Sequence, residues 1–350
     1  MKKSYLIIAA AALAMASCSK ENIVDDVNFN DNETVAITFE QFVNKATRAE
    51  VVDEAALVTE GGFKVWGYKA KNVASGSAIA WTPMNMIFNG VEVTATTASS
   101  DAVWTYASTK YWDKTCSYRF YAGGPISHTN GTLACTASGD IMKFKVTGAE
   151  SAPATESKSD FVIDRVVNQK DASTVISGYK ETFDFHHIMA KISFAVKKSE
   201  DLASSDVLIL KDIKMSGYNA ASGDFVQNKF DGTWNELNIS EWNQTTTASG
   251  ETVQLASGEP LEFTAKETNL VKSYIMVPQQ IAANTLKFTV SYTLNNEEFT
   301  DQEGYITTAQ TWGTDSHTLY TITVGPLAIK FDVNSVCDFH LIASGDATIN

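Results

Sequence analysis

The sequence has few cysteines and few basic residues, and this limits the kinds of fold and partner that it can have. None of the four cysteines in the 350 residues form a Cys-x-x-Cys spacing, so no disulfide framework is predicted. Lys and Arg number 27 against 41 Asp and Glu, and the net charge of −14 repels phosphate backbones, which excludes nucleic acid as a predicted partner. Charged residues make up 19% and hydrophobic residues 44%, a composition that buries a core instead of remaining disordered. Cys116 and Cys135 are the pair that an oxidising compartment would join, and two free thiols are the alternative.

The common signatures of catalysis are absent as well. No Gly-x-Ser-x-Gly elbow, His-Glu-x-x-His helix, Walker loop or Gly-x-Gly-x-x-Gly turn occurs. His186 and His187 are adjacent, and neighbouring residues on a strand point to opposite faces, so they are not predicted to share a metal ion. We therefore predict no catalytic residue, no metal and no cofactor, and keep an enzyme of unfamiliar type as a third hypothesis.

The N-terminal segment has the pattern of an export signal. A basic start precedes an apolar run over residues 5–16, which is shorter than the roughly 20 residues that span a bilayer. The run ends in two small residues before Cys18 and resembles a bacterial lipoprotein signal peptide. We expect a signal peptide over residues 1–17, with acylation of Cys18, palmitate included, that holds the precursor on the outer membrane. An ordinary signal peptide without lipid is the alternative. The polar, acidic residues 19–33 are typical of a tether.

Beyond the tether, apolar and polar residues alternate with a period of two, which is typical of strands with one buried face. The clearest runs are Val35–Phe39, Ala190–Val196, Leu286–Leu294 and Tyr320–Val324. Turn-forming pairs such as Gly61-Gly62 and Asn295-Asn296 separate these runs, and no long stretch has a 3.6-residue apolar period. The sequence predicts an all-β protein of antiparallel sandwiches, with a domain boundary near residue 180, within about ten residues.

The tryptophans allow two interpretations. They are Trp66, Trp81, Trp104, Trp112, Trp234, Trp242 and Trp312. Large aromatic side chains in a β-sandwich mostly fill the core, but a cluster of exposed ones would form a platform for sugar rings. A surface glycan-binding lipoprotein is therefore the alternative to a purely structural function.

A series of short motifs follows the lipoprotein signal in a fixed order. They are Lys45–Glu50 leading into Gly62–Tyr68, then Tyr111-Trp112 with Tyr118–Tyr121, Phe183–Ile192 and Tyr274–Gln279. In this order they resemble the fimbrillin family of Bacteroidales, the Mfa-like subunits of surface pili, over nearly the whole mature chain. The resemblance implies two tandem transthyretin-like antiparallel β-sandwich domains. We place them at residues 49–180 and 181–350, after a lipidated tether and removable first strand at 18–48.

The resemblance also implies a route of assembly. In fimbrillins an arginine-specific protease removes the first strand, and a C-terminal strand of another subunit replaces it. Carried over, cleavage falls between Arg48 and Ala49, and residues 35–43 are displaced. The side chains that leave the groove would be Val35, Ile37 and Phe39. A sandwich that has lost a strand exposes unpaired backbone groups, which accept a strand from another molecule. An exposed loop residue without a processing role is the alternative for Arg48.

The candidate donor strand follows Pro326, a residue that cannot donate a ladder hydrogen bond. Apolar groove-fillers then stand at every second position: Leu327, Ile329, Phe331 and Val333. The alternative is that this segment is the final strand of the second sandwich, which would suit a tip or anchor subunit. Residues 340–350 do not continue the strand pattern, so the sequence does not indicate what they do.

These observations favour a structural function. The predicted protein is a subunit of a cell-surface fimbria at the outer membrane, exported as a lipoprotein precursor, matured by proteolysis and polymerised by donor-strand exchange. Its predicted partners are other fimbrial subunits, in a homopolymer or heteropolymer, together with host or bacterial surface receptors through which the fibre contributes to adhesion.

Overall fold

The computed structural model describes residues 35–43, 54–73, 79, 86–97, 102–127, 131–138, 141–150, 152–153, 160–164, 168–227, 242–247, 252–256, 261–263, 269–325 and 329–336. Within these ranges the secondary structure is almost entirely β, with one α-helix at Glu54–Thr59 and one short 3-10 helix at Ala172–Thr174. None of the helices described is long and apolar enough to cross a membrane.

The strands are numbered in chain order. Those before residue 190 are β1 (Phe39–Val43), β2 (Phe63–Lys71), β3 (Met86–Thr94), β4 (Thr105–Tyr106), β5 (Cys116–Gly124), β6 (Thr132–Ser138), β7 (Ile141–Glu150), β8 (Ala152–Pro153), β9 (Val162–Asp164), β10 (Asn168–Asp171) and β11 (Glu181–His187). Those that follow are β12 (Ala190–Lys198), β13 (Leu208–Ser216), β14 (Ala220–Gln227), β15 (Trp242–Thr247), β16 (Thr252–Ala256), β17 (Leu261–Phe263), β18 (Asn269–Met276), β19 (Gln279–Ile281), β20 (Lys287–Leu294), β21 (Glu297–Tyr305), β22 (Gln310–Trp312), β23 (Ser316–Val324) and β24 (Ile329–Val336).

These strands form four larger sheets and one small one. The first sheet has the order β1-β11-β9-β5-β2-β3-β4, with β10 also paired to β5. The second has the order β15-β14-β7-β6, and the third β24-β23-β12-β18-β8. The fourth has the order β16-β13-β20-β21, with β17 also paired to β13, and β19 pairs with β22 in the small sheet. The predicted all-β sandwich class is confirmed.

Two strand pairs depart from the antiparallel pattern expected. β1 runs parallel to β11, and β12 runs parallel to β23. A parallel pair needs a long crossover between its strands, and both pairs join segments that are more than a hundred residues apart. Such pairing is set by the tertiary fold, because a strand's own alternation does not encode the direction of its neighbour.

The period-two prediction is confirmed most clearly by β20. Phe288, Val290, Tyr292 and Leu294 are buried, and the residues between them are half-buried. The turn after this strand contains Asn295 and Asn296 with φ of 50° and 68°. Positive φ at two successive residues is the conformation of a tight hairpin turn, and asparagine tolerates it well. The predicted turn at this pair is therefore confirmed.

β12 was expected to have one solvated face, and this expectation is wrong. Its odd-numbered residues Lys191, Ser193 and Ala195 are buried, as are its apolar even-numbered ones. The strand lies in the middle of the third sheet between β23 and β18. Its small and polar residues find partners inside the protein, and Ser193 Oγ lies 2.7 Å from Ser273 Oγ and 2.8 Å from His317 Nε2.

The buried apolar side chains form three clusters. The first draws on residues 37–185, and the third lies between the third and fourth sheets and draws on residues 190–324. The second combines side chains from the first and second sheets with Ile275 and Val277. The domain boundary near residue 180 stays a prediction. Cys116 and Cys135 are free thiols in different clusters, so they are not joined in a disulfide.

Candidate functional site

The candidate site is the first strand with the groove that holds it. β1 lies at the end of the first sheet and pairs with β11, from Phe39 opposite Glu181 to Val43 opposite Phe185. The residues just before it continue the contact, because Ala36 forms an isolated antiparallel bridge with Tyr111. We use "first-strand segment" for residues 35–43. The second half of this segment, β1, lies at the sheet edge, where a strand can leave or enter without opening an interior pairing.

Main-chain hydrogen bonds hold the first half of the segment. They are Ile37 N–H to the Lys110 carbonyl at 2.8 Å, Trp112 N–H to the Val35 carbonyl at 3.0 Å, and Glu181 N–H to the Thr38 carbonyl at 2.8 Å. The Thr38 hydroxyl adds a hydrogen bond to the Tyr179 carbonyl at 3.0 Å. The main-chain bonds do not depend on side-chain identity, so another strand of suitable shape can make them.

The apolar side chains of the segment supply the specificity of the groove. Ile37 is fully buried, and Phe39 is 3% exposed. The Phe39 ring packs against four others, with centroid distances of 5.3 Å to Phe88, 5.5 Å to Tyr106, 5.6 Å to Phe120 and 5.5 Å to Phe183. Burial of each such side chain contributes roughly 1.5–3 kcal/mol, and ring contacts add to this. Removal of the segment would leave an aromatic groove open to water.

Val35 occupies a less buried position. It is partly buried and packs against the first cluster, whereas Ile37 and Phe39 belong to the cluster itself. The displacement of these three residues stays a prediction.

One residue of this site was not predicted. The Tyr106 hydroxyl donates to the Ile37 carbonyl at 2.8 Å and accepts the Lys110 N–H at 3.1 Å. Burial raises the pKa of this hydroxyl, so it remains a donor at neutral pH. Tyr106 lies on the two-residue strand β4, which is too short to show an alternation in the sequence.

A polar rim closes the groove beside β11. The Tyr179 hydroxyl donates to Glu181 Oε2 at 2.9 Å, and Lys170 Nζ lies 4.4 Å from the centre of the Tyr179 ring. Burial raises the pKa of the Glu181 carboxyl above its ordinary value. Lys180 Nζ lies 3.3 Å from Glu40 Oε1, an exposed ion pair of the kind that adds little stability. Of these contacts only the ion pair reaches the first-strand segment, so the rim adds little to the stability of the segment.

The candidate donor strand lies at another sheet edge. β24 ends the order of the third sheet and pairs antiparallel with β23. Ile329, Phe331 and Val333 stand opposite Val324, Ile322 and Tyr320 in this register, and those three residues of β23 are buried. Within the chain, this segment therefore occupies the place expected of a final strand. Its use as a donor stays a prediction and requires that it leave β23.

Several predicted residues cannot be placed. Cys18, Arg48, Ala49 and Leu327 lie outside the described residues, as do Trp81 and Trp234. Lipidation and cleavage therefore stay predictions.

The five tryptophans that the structure describes fill cores. They are Trp66, Trp104, Trp112, Trp242 and Trp312, and each is at most 7% exposed. Trp312 is fully buried, and its Nε1 donates to the Tyr320 hydroxyl at 2.9 Å. No exposed platform for sugar rings exists among these five residues.

The two adjacent histidines contact different carboxylates. His186 Nδ1 lies 3.0 Å from Asp315 Oδ2 and its Nε2 lies 3.2 Å from Asp184 Oδ2, whereas His187 Nδ1 lies 2.6 Å from Asp160 Oδ2. Burial lowers the pKa of His186, but the hydrogen bonds and charges of Asp315 and Asp184 outweigh this effect and raise it. In the described part of the chain no group of His, Cys, Asp and Glu is arranged to hold a metal ion.

The sequence profile of the fimbrillin-like family matches residues 47–350. The chain belongs to this family. This fimbrillin-like protein also shares its fold with a fimbrial protein from Bacteroides vulgatus, at 15% identity and a TM-score of 0.59, over 86% of this chain and 98% of that one. A fimbrial assembly protein from Parabacteroides distasonis is 11% identical over 87% of this chain and 99% of that one, with a TM-score of 0.41. No curated protein matches the chain. The match to the family profile over residues 47–350 confirms the predicted resemblance to fimbrillins.

Proposed function

We propose that this fimbrillin-like protein is a structural subunit of a cell-surface fimbria. It is exported as a lipoprotein precursor through Cys18, cleaved between Arg48 and Ala49, and polymerised by exchange of its first-strand segment for a strand of another subunit. Its partners are other fimbrial subunits, and the fibre contributes to adhesion. A subunit of this kind needs neither a cofactor nor a catalytic residue.

One observation carries the proposal. The first-strand segment buries Ile37 and Phe39 in the first cluster, yet β1 lies at the edge of its sheet. The segment is therefore both necessary to cover the groove and accessible to exchange. The family match supports the same division, because it begins at residue 47, after β1 and next to the predicted cleavage site.

The release of the lipid follows from the same cut. Cys18 and the first-strand segment both lie before Arg48. A single cleavage would separate both from the rest of the chain, and departure of the first-strand segment would then open the groove and free the subunit from its acyl anchor, so assembly and detachment are coupled.

The test is the variant Arg48→Ala in the full-length precursor, with Lys45→Ala as the matched control. Both residues are basic and lie in the same connection between β1 and the helix at Glu54–Thr59. We expect polymers that begin at Ala49 from wild type and from Lys45→Ala, and monomers that retain the first strand from Arg48→Ala. Intact mass, N-terminal sequencing and size-exclusion chromatography measure these outcomes. Polymers of Arg48→Ala that retain the residues before Ala49 would contradict the proposal.

A further inference from the structure

The chain passes from the first sheet to the third in two residues. β11 ends at His187 and β12 begins at Ala190, so Ile188 and Met189 connect the two sheets. Hydrogen bonds from other parts of the chain hold this connection. They are Ile188 N–H to the Phe161 carbonyl at 3.0 Å, Trp242 Nε1 to the Ile188 carbonyl at 3.1 Å, and Asp315 N–H to the Met189 carbonyl at 3.2 Å. We use "joint" for residues 186–190 together with Asp315.

A histidine in the joint lies between two carboxylates. His186 Nδ1 lies 3.0 Å from an oxygen of Asp315, which directly precedes β23 of the third sheet. His186 Nε2 lies 3.2 Å from an oxygen of Asp184, which belongs to β11 like the histidine itself. An ionised carboxylate only accepts hydrogen bonds, and a neutral imidazole has a single N–H. Both contacts are hydrogen bonds at the same time only when the ring carries two protons and a positive charge.

We infer that His186 is a proton-binding site that strengthens the joint between the first and third sheets. With the proton bound, the imidazolium links β11 to Asp315 at the start of β23. When the proton leaves as the pH rises, the ring loses its charge and one of its two N–H donors, so the link weakens and the joint loosens. This inference goes beyond the proposed function and does not depend on it, because the joint is the same before and after cleavage at Arg48.

The surroundings of the ring favour its charged form. The His186 side chain is 7% exposed, and those of Asp315 and Asp184 are 32% and 56% exposed. Burial lowers the pKa of His186, but the hydrogen bonds and charges of Asp315 and Asp184 outweigh this effect and raise the pKa above its ordinary value of 6.5. The stabilisation by the bound proton is therefore complete below pH 6.5 and is lost as the pH rises through the higher pKa of the folded state.

Other titratable groups lie on the elements packed around the joint, and they are buried. They are Asp160 and His187, whose Oδ2 and Nδ1 atoms lie 2.6 Å apart, Asp164 on β9, Lys191 on β12 and His317 on β23. Asp164 accepts the Asp184 N–H at 3.1 Å, so it holds the strand that carries His186. Asp315 contacts His186 from another sheet, and its charge is therefore the one that couples the proton to the joint.

The first measurement is the titration of the His186 ring in the full-length wild-type chain. NMR of the labelled ring nitrogens follows it, and the signal that is missing from His186→Gln gives the assignment. We expect both ring nitrogens to be protonated at about pH 6 and the midpoint of the titration to lie above the ordinary 6.5. A midpoint at or below 6.5 would contradict the inference.

The second measurement reports on the joint itself. The Asp315 N–H, which donates to the Met189 carbonyl, exchanges with solvent hydrogen when the joint opens. Its protection, corrected for the intrinsic exchange rate, should fall about threefold to tenfold between about pH 6 and about pH 8.5, because a hydrogen bond to a charged group weakens. The Ile306 N–H, which donates to the Leu286 carbonyl at 3.0 Å outside the joint, is the reference, and its protection should stay within about twofold.

Two substitutions of the same kind separate the joint from the ring. Asp315→Asn removes the carboxylate on the far side of the joint, and Asp184→Asn, the matched control, removes the one on β11. Asp184 stays beside His186 whether the joint is closed or open, because both belong to one strand, whereas Asp315 moves away when the joint opens. We therefore expect Asp315→Asn to lose the pH dependence of protection at residue 315 and Asp184→Asn to keep it. Both substitutions should lower the midpoint of the His186 titration.

Each outcome decides one step of the inference. Protection at residue 315 that does not change with pH in wild type would show that the proton on His186 does not act on the joint. A pH dependence that survives in Asp315→Asn, or that disappears in Asp184→Asn, would contradict Asp315 as the coupling partner. The two wild-type measurements stand even where a variant fails to fold. Cleavage and polymerisation enter none of these readouts, so failure of the inference and failure of the proposed function are distinguishable.

Discussion

At the scale of single residues, Asp113 shapes the turn that holds the start of the first-strand segment. Its Oδ1 accepts hydrogen bonds from the Thr115 N–H at 3.1 Å and the Thr115 hydroxyl at 2.7 Å, and its own N–H donates to the Tyr118 hydroxyl at 2.7 Å. The preceding residue, Trp112, donates the main-chain hydrogen bond to Val35. A side chain outside the groove thus sets the position of a backbone group inside it.

Asp113 also gives a pH-dependent prediction. The hydrogen bonds from Thr115 lower the pKa of the Asp113 carboxyl to about 2, from an ordinary value of 3.8. Because the folded state prefers the charged form, this contribution to stability is complete above pH 3.8 and is lost as the pH falls from there toward 2. In the variant Asp113→Asn, the loss of stability that comes from protonation of this carboxyl should disappear.

The measurement for Asp113 is the free energy of unfolding of wild type and Asp113→Asn across this pH range. We expect the difference in the free energy of unfolding between wild type and Asp113→Asn to be constant above the ordinary pKa of 3.8 and to become smaller as the pH falls toward 2. Asp113 is partly exposed, so a small effect is expected. A difference that does not change with pH would show that the carboxylate charge does not stabilise the turn.

At the scale of elements, the proposed function requires that the first strand be held firmly in the precursor and released after cleavage. Phe39→Ala should lower the free energy of unfolding of the full-length chain by about 3–5 kcal/mol, because it removes a buried ring that packs among four others. Glu40→Ala is the matched control on the neighbouring residue, and loss of its exposed ion pair should cost at most about 1 kcal/mol.

Chemical denaturation of the two variants measures this difference, and polymerisation after cleavage gives a second readout. A weaker first strand should leave its groove sooner, so cleaved Phe39→Ala should polymerise faster than cleaved Glu40→Ala. Equal unfolding midpoints for the two variants would mean that the aromatic groove does not hold the strand.

The edge strand β21 of the fourth sheet has features that discourage pairing with a strand of another molecule. β21 ends the order of the fourth sheet, and most of its residues are exposed. It carries Glu297, Glu298 and Glu303, and Asp301 interrupts it with a φ of 48°. Charged residues and a local irregularity both discourage a foreign strand from pairing with an edge. This contrast favours the groove of the first sheet as the place where chains join.

The elements also show what a sequence can and cannot predict. Alternation identified β20 because its two faces have different environments. It misjudged β12, which is buried on both faces, because the position of a strand within its sheet depends on partners far away in sequence. The burial of Ile37 and Phe39 was predicted from the same alternation, but their place in the groove was predicted from the resemblance to fimbrillins. Tyr106 contributes a hydroxyl hydrogen bond and lies on a strand of only two residues, so no periodic pattern indicates it.

At the scale of the whole molecule, net charge opposes the assembly that the strands favour. Residues 1–48 contain five Lys and Arg and six Asp and Glu, a net of −1, so their removal changes the charge of −14 only to −13. Subunits that approach one another are therefore strongly repelled at long range. In the proposed assembly, the short-range fit of a strand in its groove must overcome this repulsion at each step of growth.

Salt should therefore speed the polymerisation of the cleaved chain. Raising the ionic strength from about 10 mM to about 150 mM shortens the screening length from about 30 Å to about 8 Å, which weakens repulsion between subunits but leaves contacts within a buried groove nearly unchanged. We expect the rate of growth measured by light scattering to rise with salt, while the uncleaved chain stays monomeric at every concentration of salt. A rate that falls with salt would mean that opposite charges on the two subunits, not the apolar residues at positions 329 and 331, guide the strand into the groove.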